Sequence, residues 1–268
     1  AMLGIQGLHN LTYGTFALTL GVALIQRFGP PNLVTAYGRH SEAIGSVKGI
    51  LGGLTRDLPG PPSLWWFLME SPAFFIPLYL VAVTKRSLNP TNFAVLSLFL
   101  LHYFNRALIY PTRIKSKKPM PIAIVLSAGS FCTLNGVLQA TYLIEHSSLE
   151  PNDVLCFRGM TGVVLFFAGL AINIQADSIL TNLRKPGETG YKIPHGGLFR
   201  FVSGANYFGE SLEWVGFALV CNSLPSVAFA VFTANFLGSR ACNHHRWYQN
   251  KFKEQYPPER KAFIPFLF

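Results

Sequence analysis

The chain has 268 residues, of which 50% are hydrophobic, 14% aromatic and only 13% charged, with a net charge of +10 at pH 7. A soluble domain usually carries about 25% charged residues, so this composition excludes a conventional soluble protein. Intrinsic disorder is excluded too, because the chain has ample apolar surface to bury. The composition therefore predicts an integral membrane protein.

Seven segments are apolar and long enough to cross a bilayer as helices, which takes about 20 residues each. The predicted spans are residues 10–27, 63–84, 89–111, 120–144, 154–180, 206–221 and 224–248. The sixth is the least regular, because Glu210 and Glu213 lie within it and Pro225 soon follows its end. We predict an all-α protein with seven transmembrane helices in one domain, 1–268. Six spans with a re-entrant hairpin are the alternative.

The basic residues predict how these spans are oriented. Eighteen of the 22 Lys and Arg residues fall in alternate connections and in the C-terminal tail counted together with the end of the last span, whereas the opposite connections hold only Lys85 and Arg86. Basic connections are usually cytosolic. We therefore predict a cytosolic C-terminus and an N-terminus on the outer or lumenal side. Because basic residues are expected in cytosolic loops, the topology explains the positive net charge of the chain, and no nucleic-acid partner is implied.

Polar residues inside the spans are the first candidates for function, because ionisable groups in a membrane are costly and usually face a cavity. Five spans carry them at about the same depth, in the half predicted to be cytosolic. These residues are Glu70; His102, Tyr103 and Arg106; Asn173 and Asp177; Asn206, Glu210 and Glu213; and Arg240, His244 and Tyr248. They form either a salt-bridge network that fixes helix packing or a polar pocket open to the cytosol. Five converging groups favour the pocket.

Two segments outside the spans are rich in cations. The loop 183–194, which contains Arg184 and Tyr191, is basic and holds several Gly and Pro residues. It either lies at the lipid headgroups or binds phosphate, which Arg can hold through paired hydrogen bonds. The tail after Tyr248 mixes cations with aromatic residues. It either lies on anionic lipid or folds back over the pocket.

The sequence lacks the motifs that are typical of metal-dependent, nucleotide-binding and hydrolytic enzymes. The four cysteines lack C-x-x-C spacing and are predicted to be small buried hydrophobic residues. The sequence has no Rossmann glycine motif, no P-loop, no H-E-x-x-H pair and no G-x-S-x-G turn. No metal site is therefore predicted.

Several motifs, taken together and in this order, resemble the steroid 5α-reductase family of 3-oxo-5α-steroid 4-dehydrogenases. They are 66–72 (WFLMESP), 101–106 (LHYFNR), 131–136 (FCTLNG), 173–177 (NIQAD), 183–188 (LRKPGE), 196–199 (GGLF), 202–214 (VSGANYFGESLEW), 245–248 (HRWY), 256–257 (YP) and 260–266 (RKAFIPF). The resemblance covers roughly residues 65–268.

The resemblance implies an enzyme that uses NADPH to reduce the Δ4 double bond of 3-oxo-Δ4-steroids, by hydride transfer to C5 and protonation at C4. Glu70 and Tyr103 match the pair that holds the steroid carbonyl; Glu70 can donate a hydrogen bond there only when it is protonated. The residues that match positions around the cofactor are Trp66, Arg106, Asn173, Asp177, Arg184, Tyr191, Asn206, Glu210, His244 and Tyr248.

The family also implies partners and a location. The expected substrate is a testosterone- or progesterone-like steroid, in contact with membrane lipid and without an obligate protein partner. The expected membrane is the endoplasmic reticulum in a eukaryote or the inner membrane in a bacterium. The sequence departs from the family pattern at Met69, a position where animal steroid reductases share a Gln. The methionine removes a polar group beside Glu70, so the sequence does not identify the native steroid.

Alternative functions come from two classes. Among enzymes, the similar membrane enoyl-CoA and sterol reductases are the nearest, although the pair Glu70 and Tyr103 favours a ketosteroid. A seven-span ligand receptor or a transporter is the alternative from another class. The cytosolic position of the polar residues disfavours a receptor, and the lack of an internal repeat disfavours a transporter.

Overall fold

A computed structural model shows two compact units that are mostly helical. The structure describes residues 4–28, 56–84, 87–185, 188 and 190–268. The first unit comprises Ala1–Cys156 with Ser223–Pro225, and the second comprises Phe157–Asn222 with Ser226–Phe268.

The first unit is built on long helices. Its helices are α1 (Ile5–Phe28), α2 (Pro62–Val83), α3 (Pro90–Tyr103), α4 (Ile122–Thr141) and the short α5 (Pro151–Leu155). Helix α3 continues through a π-helical turn, Phe104–Ile109, into a last α-helical turn, Tyr110–Arg113, and α4 ends in a π-helical turn, Tyr142–His146. Strands β1 (Asp57–Leu58) and β2 (Met120–Pro121) pair antiparallel, with Asp57 opposite Pro121 and Leu58 opposite Met120.

Local sequence explains where these helices begin and how two of them pack. Asn89 caps α3 by accepting a 2.8 Å hydrogen bond from the backbone of Thr91. Helix α2 packs closely against α4 at Gly136, where an added Cβ would lie 3.2 Å from the Cα atom of Ala73. A side chain at this position would push the backbone of α2 away by a few tenths of an ångström. This close packing brings the helix that carries Glu70 against the middle of α4.

The second unit contains α6 (Phe157–Asn182), α7 (Ala205–Cys221) and all but the first two residues of α8 (Leu224–Phe252). Glycines on the facing sides of α6 and α7 let the two backbones touch. An added Cβ at Gly162 would lie 2.7 Å from the carbonyl oxygen of Gly216, and one at Gly209 would lie 2.7 Å from the backbone nitrogen of Asn173. Small residues at such contacts are typical of membrane helices.

The C-terminal tail folds back onto the second unit. The backbone N–H groups of Ser203 and Gly204 donate to the carbonyls of Lys261 and Ala262 at 2.9 and 3.0 Å. The Ser203 hydroxyl also lies 2.6 Å from the Tyr256 phenol, whose pKa is raised by burial. Of the two sequence-based alternatives for the tail, these contacts favour folding back onto the protein. Whether the tail covers a pocket stays a prediction.

The helices agree with the predicted spans. Each of the seven predicted segments is mostly helical in the structure, but Met120 and Pro121 form strand β2 and a break at Cys156 divides the segment 154–180. Four helical stretches in the described part of the chain are long and apolar enough to cross a membrane: Pro62–Val83, Pro90–Arg113, Ile122–His146 and Phe157–Asn182. The chain is therefore a helical membrane protein, while the count of seven and the orientation stay predictions.

The prediction that all four cysteines are buried is wrong for Cys156. Cys132 and Cys221 are buried and Cys242 is partly buried, but Cys156 is exposed. The reason is its place at the end of the short helix α5. There its backbone N–H donates to the carbonyl of Asn152, and its thiol donates to the carbonyl of Asp153 at 3.1 Å. Cys156 therefore makes hydrogen bonds at the end of a helix and does not pack in the core.

Candidate active site

The first unit brings an acid and a base together between α2 and the end of α3. The Nε atom of Arg106 lies 3.8 Å from Oε1 of Glu70, and each side chain is only 13% exposed. The guanidinium lies 4.6 Å from the ring centroid of Trp66 and 5.0 Å from that of Tyr110. We call Trp66, Glu70, Arg106 and Tyr110 the Glu70 cluster. Its two rings and its carboxylate hold one cation in a fixed place.

A π-helical turn positions Arg106 in this cluster. The turn Phe104–Ile109 follows directly on Tyr103, and it widens the helix for a few residues. The indole N–H of Trp66 donates to the carbonyl oxygen of Arg106 at 3.2 Å, which ties α2 to this turn. Such turns frequently occur at functional sites.

Helix α4 contacts both proposed catalytic residues. The thiol of Cys132 donates to Oε2 of Glu70 at 3.4 Å, and the side-chain amide of Asn135 donates to the hydroxyl oxygen of Tyr103 at 3.5 Å. Cys132 and Asn135 are three residues apart, so they share one face of the helix. Glu70 and Tyr103 are therefore linked to adjacent positions on the same helix face. Tyr103 is only 4% exposed.

The second unit brings together four of the polar residues predicted from the sequence. The amide of Asn173 on α6 donates to the backbone carbonyl of Asn206 at 3.0 Å and to the carboxylate of Glu210 at 3.4 Å. The amide of Asn206 on α7 donates to Oδ1 of Asp177 at 3.1 Å. We call Asn173, Asp177, Asn206 and Glu210 the Asn206 cluster. Because the two residues on each helix are four positions apart, they share one face of that helix, and the polar face of α6 contacts the polar face of α7.

One atom of the Asn206 cluster can receive a ligand. Asn173 is 1% exposed, and its Oδ1 atom has no hydrogen-bond partner among the residues that the structure describes. A buried acceptor without a partner costs stability, so such an atom in a polar cluster suits a bound donor. This atom and the neighbouring carboxylates fit a ligand that carries amide or hydroxyl groups.

The basic loop is braced by its own side chains. Arg184 donates to the carbonyl oxygen of Gly190 at 3.3 Å, and the carboxylate of Glu188 accepts from the ammonium of Lys192 and the backbone N–H of Lys185. These hydrogen bonds, the one from Lys192 first, lower the pKa of Glu188. The exposed guanidinium of Arg184 keeps further donors that can bind an anion.

Three predicted residues lie in aromatic contacts of the second unit. The ring of Tyr191 lies 4.7 Å from that of Trp247, which also contacts Tyr248 at 5.3 Å. The ring of His244 lies 5.5 Å from that of Tyr207, the residue that follows Asn206. The single pocket predicted from the five polar groups stays a prediction.

Sequence analysis assigned no role to several residues that contact this machinery. Tyr110 faces Arg106, and Cys132 and Asn135 reach Glu70 and Tyr103. Asn135 was noted only as part of a family motif, and Cys132 otherwise only as one of the cysteines predicted to be buried. A buried amide inside an apolar span is itself a signal, because it must find partners within the protein.

Comparisons with known proteins agree with these observations. A family model described as 3-oxo-5-alpha-steroid 4-dehydrogenase matches residues 118–268. The 3-oxo-5-alpha-steroid 4-dehydrogenase 1 of Macaca fascicularis is 45% identical over 251 residues, which cover 93% of this chain and 90% of that protein. The 3-oxo-5-alpha-steroid 4-dehydrogenase 2 of Homo sapiens is 44% identical over 235 residues, which cover 87% and 88%. The corresponding mouse protein 2 is 43% identical over 256 residues, which cover 95% of each chain.

Proposed function

The chain belongs to the 3-oxo-5-alpha-steroid 4-dehydrogenase family, and from this we propose how its own side chains carry out the family's reaction. It is a membrane oxidoreductase, a steroid 5α-reductase that reduces the Δ4 double bond of 3-oxo-Δ4-steroids. The family assignment favours this activity over the enoyl-CoA and sterol reductases, a receptor or a transporter. The assignment of roles to residues is our proposal.

Tyr103 donates a hydrogen bond to the 3-oxo group of the steroid. Conjugation with this carbonyl makes the far carbon of the double bond electrophilic, and negative charge develops on the carbonyl oxygen as that carbon is reduced. A fixed donor in a site without water stabilises such charge. The burial of the Tyr103 hydroxyl, and its contact with the amide of Asn135, support this role. This contact is the observation that carries the proposal.

Glu70 is the second group assigned to the carbonyl. It donates there only as the protonated acid, since a carboxylate accepts hydrogen bonds and repels an oxyanion. Its neighbours Arg106 and Cys132 hold the carboxyl group in place from two sides. We assign to Arg106 the balancing of the charge of Glu70 in its ionised form, which Glu70 has before it takes up the proton that it donates to the carbonyl.

The Asn206 cluster and the basic loop fit a nicotinamide dinucleotide, and we propose that this is NADPH. When bound, it supplies the hydride. The Oδ1 atom of Asn173 accepts a hydrogen bond from the cofactor, and Arg184 binds the 2′-phosphate of NADPH. The resemblance adds Trp66, Asp177, Tyr191, Asn206, Glu210, His244 and Tyr248 to the cofactor residues, together with Arg106.

A direct assay tests the reaction and the cofactor together. Purified protein, progesterone or testosterone, and NADPH should give a product that is heavier by two hydrogens in mass spectrometry and that co-elutes with the authentic 5α-reduced ketone in chromatography. The absence of this product with both steroids would contradict the proposed substrate class. Met69, which is buried beside Glu70, makes a comparison of several 3-oxo-Δ4-steroids worthwhile.

We expect NADPH to be strongly preferred to NADH, because Arg184 can bind the 2′-phosphate. Arg184→Ala should weaken NADPH binding by about 1.5–3 kcal/mol, the range for a charged hydrogen bond, and should leave NADH binding nearly unchanged. Titration of both cofactors measures this. Lys185→Ala removes the adjacent cation and is the matched control. An equal loss for NADH and NADPH in the Arg184 variant would show that Arg184 does not bind the 2′-phosphate.

We propose the seven-span topology with a cytosolic C-terminus, in the endoplasmic reticulum membrane of a eukaryote or the inner membrane of a bacterium. The uneven distribution of basic residues supports it. The exposed positions Lys117, Asn152 and Lys253 provide a test, in a background where the exposed Cys156 is replaced by Ser. Lys117→Cys and Lys253→Cys should be labelled by an impermeant thiol reagent from the cytosol, and Asn152→Cys from the other side. Labelling of all three from one side would contradict the seven-span count.

A further inference from the structure

A chain of hydrogen bonds leads from Tyr103 into the interior of the first unit. The amide of Asn135 donates to the Tyr103 oxygen at 3.5 Å, and the amide of Gln139 donates to Oδ1 of Asn135 at 3.1 Å. The same Gln139 nitrogen donates to the carbonyl oxygen of Pro225 at 3.0 Å. All four residues are buried, with Asn135 3% and Gln139 1% exposed.

Pro225 determines the direction of every bond in this chain. Proline has no N–H group, so its backbone can only accept, and the end of Gln139 that faces it must be the NH2 group. The second hydrogen of that NH2 group points to Asn135, which must therefore present its oxygen to Gln139. The NH2 group of Asn135 is then left to face Tyr103. Each amide has a single orientation that satisfies the chain.

This direction decides what the Tyr103 hydroxyl can do. Because its oxygen accepts from Asn135, its own hydrogen is donated in another direction. We propose that Asn135 and Gln139 are positioning residues, which orient the Tyr103 hydroxyl so that it meets the steroid carbonyl as a donor. The inference rests on the proposed function, in which Tyr103 is that donor. At 3.5 Å the bond from Asn135 is long, so its contribution is to direction rather than to strength.

Packing alone does not explain the two amides. They lie four residues apart on α4, in a helix that is otherwise apolar enough to cross a membrane. The Oε1 atom of Gln139 is buried and has no hydrogen-bond partner within the described part of the chain. A leucine would fill this volume without burying an unsatisfied oxygen. A chain that orients a reacting group accounts for amides at both positions.

The test is a double-mutant cycle between Asn135 and Tyr103. Asn135→Leu removes the donor that orients the hydroxyl, and should lower kcat about three- to tenfold, as for one neutral hydrogen bond, with KM nearly unchanged. In a Tyr103→Phe protein, which has no hydroxyl to orient, Asn135→Leu should cause no further loss of kcat. Gln139→Leu should behave in the same way and serves where Asn135→Leu fails to fold.

The matched control is Asn92, another buried amide of the first unit. It donates to the carbonyls of Leu143 and Ser147 at 2.7 and 2.8 Å. Asn92→Leu should lower thermal stability but leave kcat per folded molecule unchanged in both backgrounds. Equal losses from Asn135→Leu with and without the Tyr103 hydroxyl, or no loss at all, would overturn the positioning role alone. Normal turnover by Tyr103→Phe would overturn the proposed donor as well.

Discussion

Replacement of Tyr103 by Phe is expected to lower kcat by about 100- to 1,000-fold, the effect of losing one donor to a developing oxyanion. The ring and its packing stay, so only the hydroxyl is tested. NADPH affinity should barely change, because most of the proposed cofactor residues lie on other helices. Single-turnover oxidation of NADPH, measured together with cofactor affinity on folded protein, gives both quantities.

The control for this experiment removes a tyrosine hydroxyl elsewhere on the same unit. Tyr79 on α2 is 64% exposed, and Tyr79→Phe should leave turnover unchanged. The competing interpretation makes Tyr103 a packing residue, and in that case its loss would lower thermal stability while turnover per folded molecule stayed normal. Normal turnover in Tyr103→Phe would mean that the carbonyl donor must be sought elsewhere.

The architecture could be predicted from the sequence because a bilayer imposes a simple rule on it. Apolar stretches of sufficient length must form helices there, and each of the seven predicted segments is mostly helical in the structure. The pairing of α6 with α7 could be predicted from the sequence in part. Four-residue spacing placed Asn173 and Asp177 on one face and Asn206 and Glu210 on another, and the structure joins those faces.

The partners of single side chains could not be predicted in this way. Arg106 was assigned to the cofactor by resemblance, and the structure places it against Glu70 and Trp66. A π-helical turn carries it there, and no periodic pattern in the sequence marks that turn. The partner of Gln139 is the carbonyl of Pro225, 86 residues further along the chain. Contacts of this kind depend on tertiary packing rather than on local spacing.

The second large expected effect is a loss of stability when the Glu70 cluster loses its cation. Arg106→Ala should lower the free energy of unfolding by about 3–5 kcal/mol, because it removes the cation that lies 3.8 Å from the mostly buried carboxylate of Glu70. In a protein of this size, a loss of 3 kcal/mol corresponds to a melting temperature lower by about 6–12 °C. Thermal unfolding in detergent micelles, followed by circular dichroism, measures it.

A second substitution separates the charge from the stacking. Glu70→Gln in the Arg106→Ala protein removes the negative charge that Arg106 no longer balances, so it should restore most of the lost melting temperature. The contacts of Arg106 with Trp66 and Tyr110 stay lost and account for the remaining difference. Arg106→Lys keeps a cation but gives up the planar stacking, so its stability should lie between those of the wild type and Arg106→Ala. If Glu70→Gln brings no recovery, Arg106 stabilises the fold through its aromatic neighbours, and the charge balance assigned to it at Glu70 is wrong.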